Sequence, residues 1–567
     1  MTQTRTFLLF ALMAVAYLLW MAWEKDYGPR PASPSASGPA AAAAAASGPA
    51  GDVPVSAASV AAAVPAGTAP SVAGRRVTLS NDVLRLTIDS RGGTLVRAEL
   101  LRYPEVAPSK REPHPPPVRL FDDAAERYYV AQSGLVSAQG AAPDHRAVFA
   151  VAQGDVGLAP GADEASVVLT WQDAAGLKVS KTYALKRGSY VVHLTQAIEN
   201  TGAAPWQGNA YTQLQRVAPP KVSGWLANFT NPSANSFTGA GWYSPEEKFD
   251  ALSFADFAKK PLQRQVTGGW IAMLQHYFFA AWIPAANEPQ TFASGVLHPE
   301  SAQPTYLVRA VGPALMVAPG QRLATEARLY AGPKLQGQLD AIAPGLELTT
   351  NYGWLTAIAQ PLHWLLSKLH ALCGNWGVAI ILLVLLLKAA LWKLTAAQFR
   401  SGARMRKLQP RMQALRERYG DDKLKLQQAM MELYKKEKIN PMAGCLPILV
   451  TFPVFLGLYR VLMESVELRQ APFFGWIHDL SAPDPYFVLP ALYVLVMLAT
   501  QWLTPTTGMD PAQAKMMKVM PILFAVMFAF FPSGLVLYWV VNGATSLAQQ
   551  WFITRQVERA EQPARAA

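Results

Sequence analysis

Gly377-Val-Ala-Ile-Ile-Leu-Leu-Val-Leu-Leu-Leu-Lys388-Ala-Ala-Leu-Trp-Lys393-Leu394 decides how this chain is built. The apolar residues before Lys388 read as the body of a membrane span, here taken as residues 377–394. Thirteen lysines and arginines then crowd residues 393–438, opposed by five acids. Membrane proteins keep such basic loops in the cytoplasm, so this segment orients the whole chain. On a helix Lys388 lies about 8 Å before Lys393, in the cytoplasmic half of a bilayer. A lysine in mid-membrane costs roughly 2.5–3.5 kcal/mol on insertion scales. Two readings stay open: Lys388 snorkels to the headgroups, or it faces a water-filled cavity inside a helical bundle.

The composition agrees with a lipid-embedded part. Of 567 residues, 51% are hydrophobic and only 16% charged. Much of the +12 net charge flanks apolar runs, so anionic lipid explains it better than nucleic acid, and no DNA partner is expected. Cys373 and Cys445 both fall in the membrane-associated half, which leaves the region before them without a disulfide framework.

Working outward, residues 1–27 read as an uncleaved N-terminal anchor that starts in the cytoplasm: 7–23 are uncharged and end near Trp20 and Trp23. Residues 28–74, almost all Ala, Pro, Ser and Gly, read as a flexible linker. From 75 to 346 the pattern is that of β structure. Leu84-Arg-Leu-Thr-Ile-Asp89 alternates, and strand-like runs at 167–171, 177–185 and 189–198 are separated by Asp173-Ala-Ala-Gly176 and Lys186-Arg-Gly188. Short strands with such turn signals predict an all-β sandwich, placed in the periplasm by the charge rule. Residues 347–373 carry leucines at helical spacing, predicting an amphipathic helix on the outer membrane surface or, alternatively, a cap on the sandwich.

The second span occupies 374–395 and a cytoplasmic basic hairpin 396–440, with helices at 396–419 and 423–436 hinged at 420–422. Spans three to six fill 441–555: 445–463, 487–503, and two more from 519–553, a run of 35 residues without a charge. As one helix that run would be about 52 Å long against a hydrocarbon core of about 30 Å. Pro532-Ser-Gly534 therefore splits it. A short cytoplasmic tail, 556–567, follows. The fold class is thus a membrane α-helical bundle of six transmembrane helices plus a large periplasmic all-β sandwich.

No nucleotide-binding, metalloprotease or nucleophile-elbow motif is present, so neither an enzyme nor a cofactor is expected. His363 and His370 are read as interfacial polar residues rather than ligands. The alternatives are a secondary transporter, which would call for an internal repeat and acids within spans, or an envelope glycan-binding protein built on the sandwich.

Several motifs occur in order along the chain. They are Gly269-Trp-Ile-Ala-Met-Leu-Gln-His-Tyr277, Gly374-Asn-Trp-Gly377, Asn440-Pro-Met-Ala-Gly-Cys-Leu-Pro447, Trp476-Ile-His-Asp-Leu-Ser481 and Phe531-Pro-Ser-Gly-Leu-Val-Leu-Tyr538. Together they resemble the YidC/Oxa/Alb family of membrane-protein insertases. The resemblance implies an inner-membrane insertase and chaperone, working alone or with the Sec translocon. Its implied partners are nascent membrane proteins, lipid and, transiently, the ribosome. It also implies a hydrophilic groove carrying one positive charge. That charge is usually arginine in the family, and Lys388 stands at the matching position. Tyr538 and Trp539 match the family's substrate-contact face, Trp539 replacing a second tyrosine. In the basic hairpin, Met405, Arg406, Lys407, Met412, Met430 and Met431 are the residues expected to receive substrate or ribosome.

Overall fold

The computed structural model describes residues 51–54, 74–108, 112–138, 140–220, 236–350, 352–420, 422–436, 446–503 and 511–561. The expected N-terminal anchor and most of the linker lie outside these residues.

Alternation becomes sheet where one face is buried. Leu84–Asp89 forms a strand as read, burying Leu84, Leu86 and Ile88. The hairpin after Glu164–Gln172 turns through Gly176 at φ +96°, and Asp173 accepts a hydrogen bond from the Leu177 amide at 2.7 Å. Gly188, at φ +69°, turns the next connection, from Leu177–Lys186 into Val191–Asn200. Such left-handed positions admit glycine at no steric cost.

Two sheets result. A ten-stranded one has Trp206–Val217 inside it, between Tyr129–Val136 and Thr305–Val317. A nine-stranded one has Val191–Asn200 between Leu177–Lys186 and Arg322–Pro333. Trp270, Trp282, Tyr183, Tyr330 and Phe292 are fully buried in their shared core. The expected large all-β domain is thus present, followed by a short helix, α1 (Gln336–Ile342).

The helical part follows as α2 (Thr356–Cys373), α3 (Trp376–Ala390), α4 (Trp392–Lys407), α5 (Gln409–Tyr419), α6 (Lys423–Lys436), α7 (Leu446–Glu464), α8 (Val488–Leu503), α9 (Pro511–Phe528) and α10 (Ser533–Glu561). Helix α2 buries Ala359, Leu362 and Leu366 among α3 and α7, so it belongs to the bundle and does not cap the sandwich. Trp364 on α2 and Trp354 just before it stay exposed. Asn375 caps α3, accepting from the Val378 amide at 3.1 Å, and its amide donates to the Phe473 carbonyl at 3.2 Å. Helices α5 and α6 pack against each other on either side of Gly420.

Two boundaries differ from the sequence reading. The helix read over 377–394 is not straight: its axis turns by 66° between Trp376–Ala390 and Trp392–Arg400. The bend is satisfied by side chains. Thr395 Oγ1 donates to the Leu391 carbonyl at 3.1 Å, and Gln549 on α10 donates to Thr395 Oγ1 at 2.6 Å. The first basic helix consequently starts at Trp392, not 396, and is interrupted at Leu408. At the other end, α10 runs past 555 to Glu561.

The 519–553 run is divided at Pro532. The Ser533 and Gly534 amides leave the helical pattern and donate to Ala482 and Leu480 at 2.7 and 2.8 Å. Among the described residues no single helix is long and apolar enough to cross a bilayer; α3 with the first part of α4 qualifies only as a bent pair.

The β domain and the bundle meet at the end of α7. His276 Nε2 donates to the Met463 carbonyl at 2.9 Å, Ser236 to Glu464 at 3.1 Å, and Arg469 to the Pro104 carbonyl at 2.7 Å.

Candidate functional site: a cavity beside Lys388

Helices α3 and α10 both start at the loop formed by residues 465–487. Gly377 lies against Phe473 of that loop, so closely that a Cβ at 377 would come within 2.1 Å of its ring. From Trp376, Lys388 lies 12 residues along α3, about 18 Å; from Ser533, Ser546 lies 13 along α10, about 20 Å. The two side chains therefore meet at one depth. Lys388 Nζ donates to Ser546 Oγ at 2.6 Å, and Ser546 Oγ donates to the Asn542 carbonyl at 2.7 Å.

Around this pair is a cavity of about 360 Å³. Helix α3 contributes Val384, Leu387, Lys388 and Leu391; α4 contributes Thr395, Gln398 and Phe399; α7 contributes Thr451, Phe452, Val454 and Phe455. Helix α10 lines it with Tyr538, Trp539, Asn542 and Ser546, whose spacing of three and four places them on one face. No carboxylate lines it among the described residues, so Lys388 contributes an uncompensated positive charge to a chamber with both polar and apolar walls.

The structure thus brings Lys388, Tyr538 and Trp539 together. Tyr538 stacks on Phe455 with ring centroids 6.0 Å apart, and Trp539 lies 4.8 Å from Phe455 and 5.6 Å from Phe528. The hairpin residues do not join them. Met412 is half-buried and takes a contact from the Tyr434 hydroxyl at 3.8 Å, Met430 is half-buried and Met431 exposed. Met405, Arg406 and Lys407 lie on α4, with side chains outside the described residues.

Sequence reasoning missed Ser546, Thr395, Gln398 and Gln549. A signal existed for α10: Asn542, Ser546 and Gln549 recur at four and three residues within an apolar run. The two histidines of α2 do not act together. His363 Nε2 lies 3.7 Å from Glu467, whereas His370 stacks on Trp376 with centroids 3.9 Å apart. No group of three His, Cys, Asp or Glu able to hold a metal ion occurs among the described residues.

Two family models divide the chain. The YidC periplasmic domain matches residues 76–365, and the 60Kd inner membrane protein family matches 368–561. A membrane protein insertase YidC from Thioalkalivibrio sulfidiphilus is 45% identical over 569 residues, covering 99% of each chain. The chain belongs to the YidC family. A second curated family member, from Stenotrophomonas maltophilia, is 46% identical and covers 98% of this chain and 97% of its own. A solved structure described as an active YidC insertase is 20% identical, covers 82% of this chain and 90% of that one, and superposes with a TM-score of 0.37. The 60Kd family places YidC proteins in the inner membrane.

Proposed function

We propose that this chain inserts membrane proteins into the inner membrane, and that the cavity beside Lys388 receives the polar part of the incoming polypeptide. The observation that carries the reading is the convergence of one unpaired cation and two aromatic rings on a single chamber between α3, α4, α7 and α10. Moving a polar tail through about 30 Å of hydrocarbon is limited by desolvation. A wet chamber removes part of that barrier, and Lys388 attracts acidic residues in the tail. The substrate's apolar segment then passes Tyr538 and Trp539 into lipid, driven by its own burial.

Six spans with both termini in the cytoplasm complete the proposal: the first 27 residues, then α3 with its bend, α7, α8, α9 and α10. Supporting it, Leu495, Trp502, Ile522, Leu523 and Val526 are large apolar residues exposed on α8 and α9, a surface that suits lipid. The basic hairpin α5–α6 would face the cytoplasm and meet the nascent chain or the ribosome, with the β domain in the periplasm. Cooperation with the Sec translocon is part of the same reading.

Photocrosslinkers at 388, 538 and 539 test it against a stalled nascent chain. Adducts should form from all three and be weak from Trp502, which faces away. Strong adducts from 502 with none from the cavity would overturn the reading.

A further inference from the structure

Asp52 is the only acid between residues 28 and 74. It does not hang free. Gly51-Asp-Val-Pro54 lies against the β domain with Pro54 buried, in contrast to the free tether expected from composition. The Asp52 carboxylate accepts from the Arg146 guanidinium and lies 3.4 Å from His145 Nε2, while Arg309 donates to the Gly51 carbonyl at 3.1 Å.

The receiving groove is built for this. His145 is 5% exposed, and its amide donates to the Tyr211 hydroxyl at 3.0 Å. That hydroxyl, 2.7 Å from Nδ1, can return its own hydrogen there, which leaves the Nε2 hydrogen pointing at Asp52. Gly92, at φ +71°, allows the approach: a Cβ at 92 would lie 2.1 Å from the His145 carbonyl oxygen. Burial alone would raise the Asp52 carboxyl, but the hydrogen bond from His145 and the Arg146 guanidinium hold it below its usual range. Open space continues on both sides, in cavities of about 880 and about 280 Å³ that share Asp52, Tyr128, Arg146 and Gln215. Gln215 Nε2 is buried there without a hydrogen-bond partner among the described residues, a spare donor for a further carbonyl of an extended chain.

We infer that this groove is a carboxylate-recognising peptide clamp whose resident ligand is the chain's own Gly51-Asp-Val-Pro54. Its consequence is mechanical. Unclamped, the 47 residues from 28 to 74 reach at most about 160 Å; clamped at 51, the 23 residues from 28 to 50 reach at most about 80 Å. The clamp therefore halves the distance over which the first 27 residues can move from the β domain. A single acid in a run of small residues fixes the position of the clamp.

The test uses the full chain in detergent micelles, with Cys373 and Cys445 replaced by Ser and one new cysteine at a time. A hydrophilic maleimide should modify Val53→Cys at least about fivefold more slowly than the exposed Glu246→Cys, the protection expected from one partly buried ion pair with its hydrogen bonds. Asp52→Ala, which lies outside the β domain and leaves its folding untouched, should bring the two rates within about twofold. Arg146→Ala should do the same. Equal rates at 53 and 246 with Asp52 intact, or protection at 53 that survives Asp52→Ala, would overturn the clamp. Protection lost on dilution would also overturn it, because the ligand would then come from a second copy.

Discussion

Reversing the charge at Lys388 is the sharpest test of the cavity. A sphere of the cavity's volume, about 360 Å³, has a radius of about 4.4 Å, so a carboxylate entering it sits within about 9 Å of Nζ. At a mid-range separation of about 6 Å, one pair of unit charges is worth about 0.7 kcal/mol in water and about 2.8 kcal/mol at an effective dielectric of about 20. For a tail bearing one acid, Lys388→Ala should therefore slow insertion by about 3- to 100-fold. Lys388→Glu should slow it further, because attraction becomes repulsion. Lys388→Arg should stay near the parent rate, since only a positive point is required. The assay is protease protection of a single-span substrate in proteoliposomes, run with Asp and with Asn in its tail. The Asn tail should hardly respond to any of the three substitutions. Equal rates for all variants on the Asp tail would refute the electrostatic reasoning and leave Lys388 a snorkelling residue. Equal losses on both tails would refute it too, by making the effect one of bundle packing.

Two further outcomes follow from the junctions. Burial pushes the His276 imidazole down to about 4, with Lys334 and Arg469 adding to the effect against the hydrogen bond to Met463. Its folded value lies below the unfolded one, so the unfolded state binds more protons between about pH 4 and 6.5. Stability is then complete above about 6.5 and falls as pH drops towards 4, by up to about 1.4 kcal/mol per pH unit. His276→Gln should flatten that part of the thermal-denaturation profile, and an unchanged slope would dismiss His276 as its source. Gly377→Ala should lower stability by about 1–3 kcal/mol, because the new methyl would have to displace the Phe473 ring. Melting in detergent, followed by intrinsic fluorescence, should show the drop, and an unchanged midpoint would mean the loop yields freely.

Local chemistry carried most of the β domain and little of the bend. Leu84–Asp89 could be read at its full length because only period-two burial satisfies that sequence, and Gly176 and Gly188 supply backbone angles that other residues resist. The break at Pro532-Ser-Gly534 was legible because a turn signal falls inside a run too long for one span; proline alone would not have given it, since Pro361, Pro453 and Pro521 lie within helices. Nothing at Leu391-Trp392 gives such notice. Both residues are good helix material, and the 66° turn depends on Thr395 and on Gln549, more than 150 residues away. Lys388 announced itself as a charge in an apolar run, but its partner Ser546 becomes visible only when α3 and α10 are set side by side. Asp52 went unread because composition describes a segment's average, whereas one carboxylate meeting one prepared groove is a property of the pair.

The two ends of the bundle are built differently, and the difference bears on direction. Near the β domain, Ile380, Leu383, Leu458, Val461, Leu535 and Val536 are almost wholly buried in one apolar layer. Above it, α10 is fastened to the loop through Ser533 and Gly534, and α7 to the β domain through Met463 and Glu464. A polar chain meeting that layer would find only apolar side chains. On the far side of the layer lies the cavity, with the hydrogen bond from Lys388 to Ser546 in its lining. Openings of low cost belong where few buried contacts must be broken. In the proposed orientation that is the cytoplasmic side, so the same packing would admit a substrate tail from within the cell and would seal the membrane against leakage to the outside.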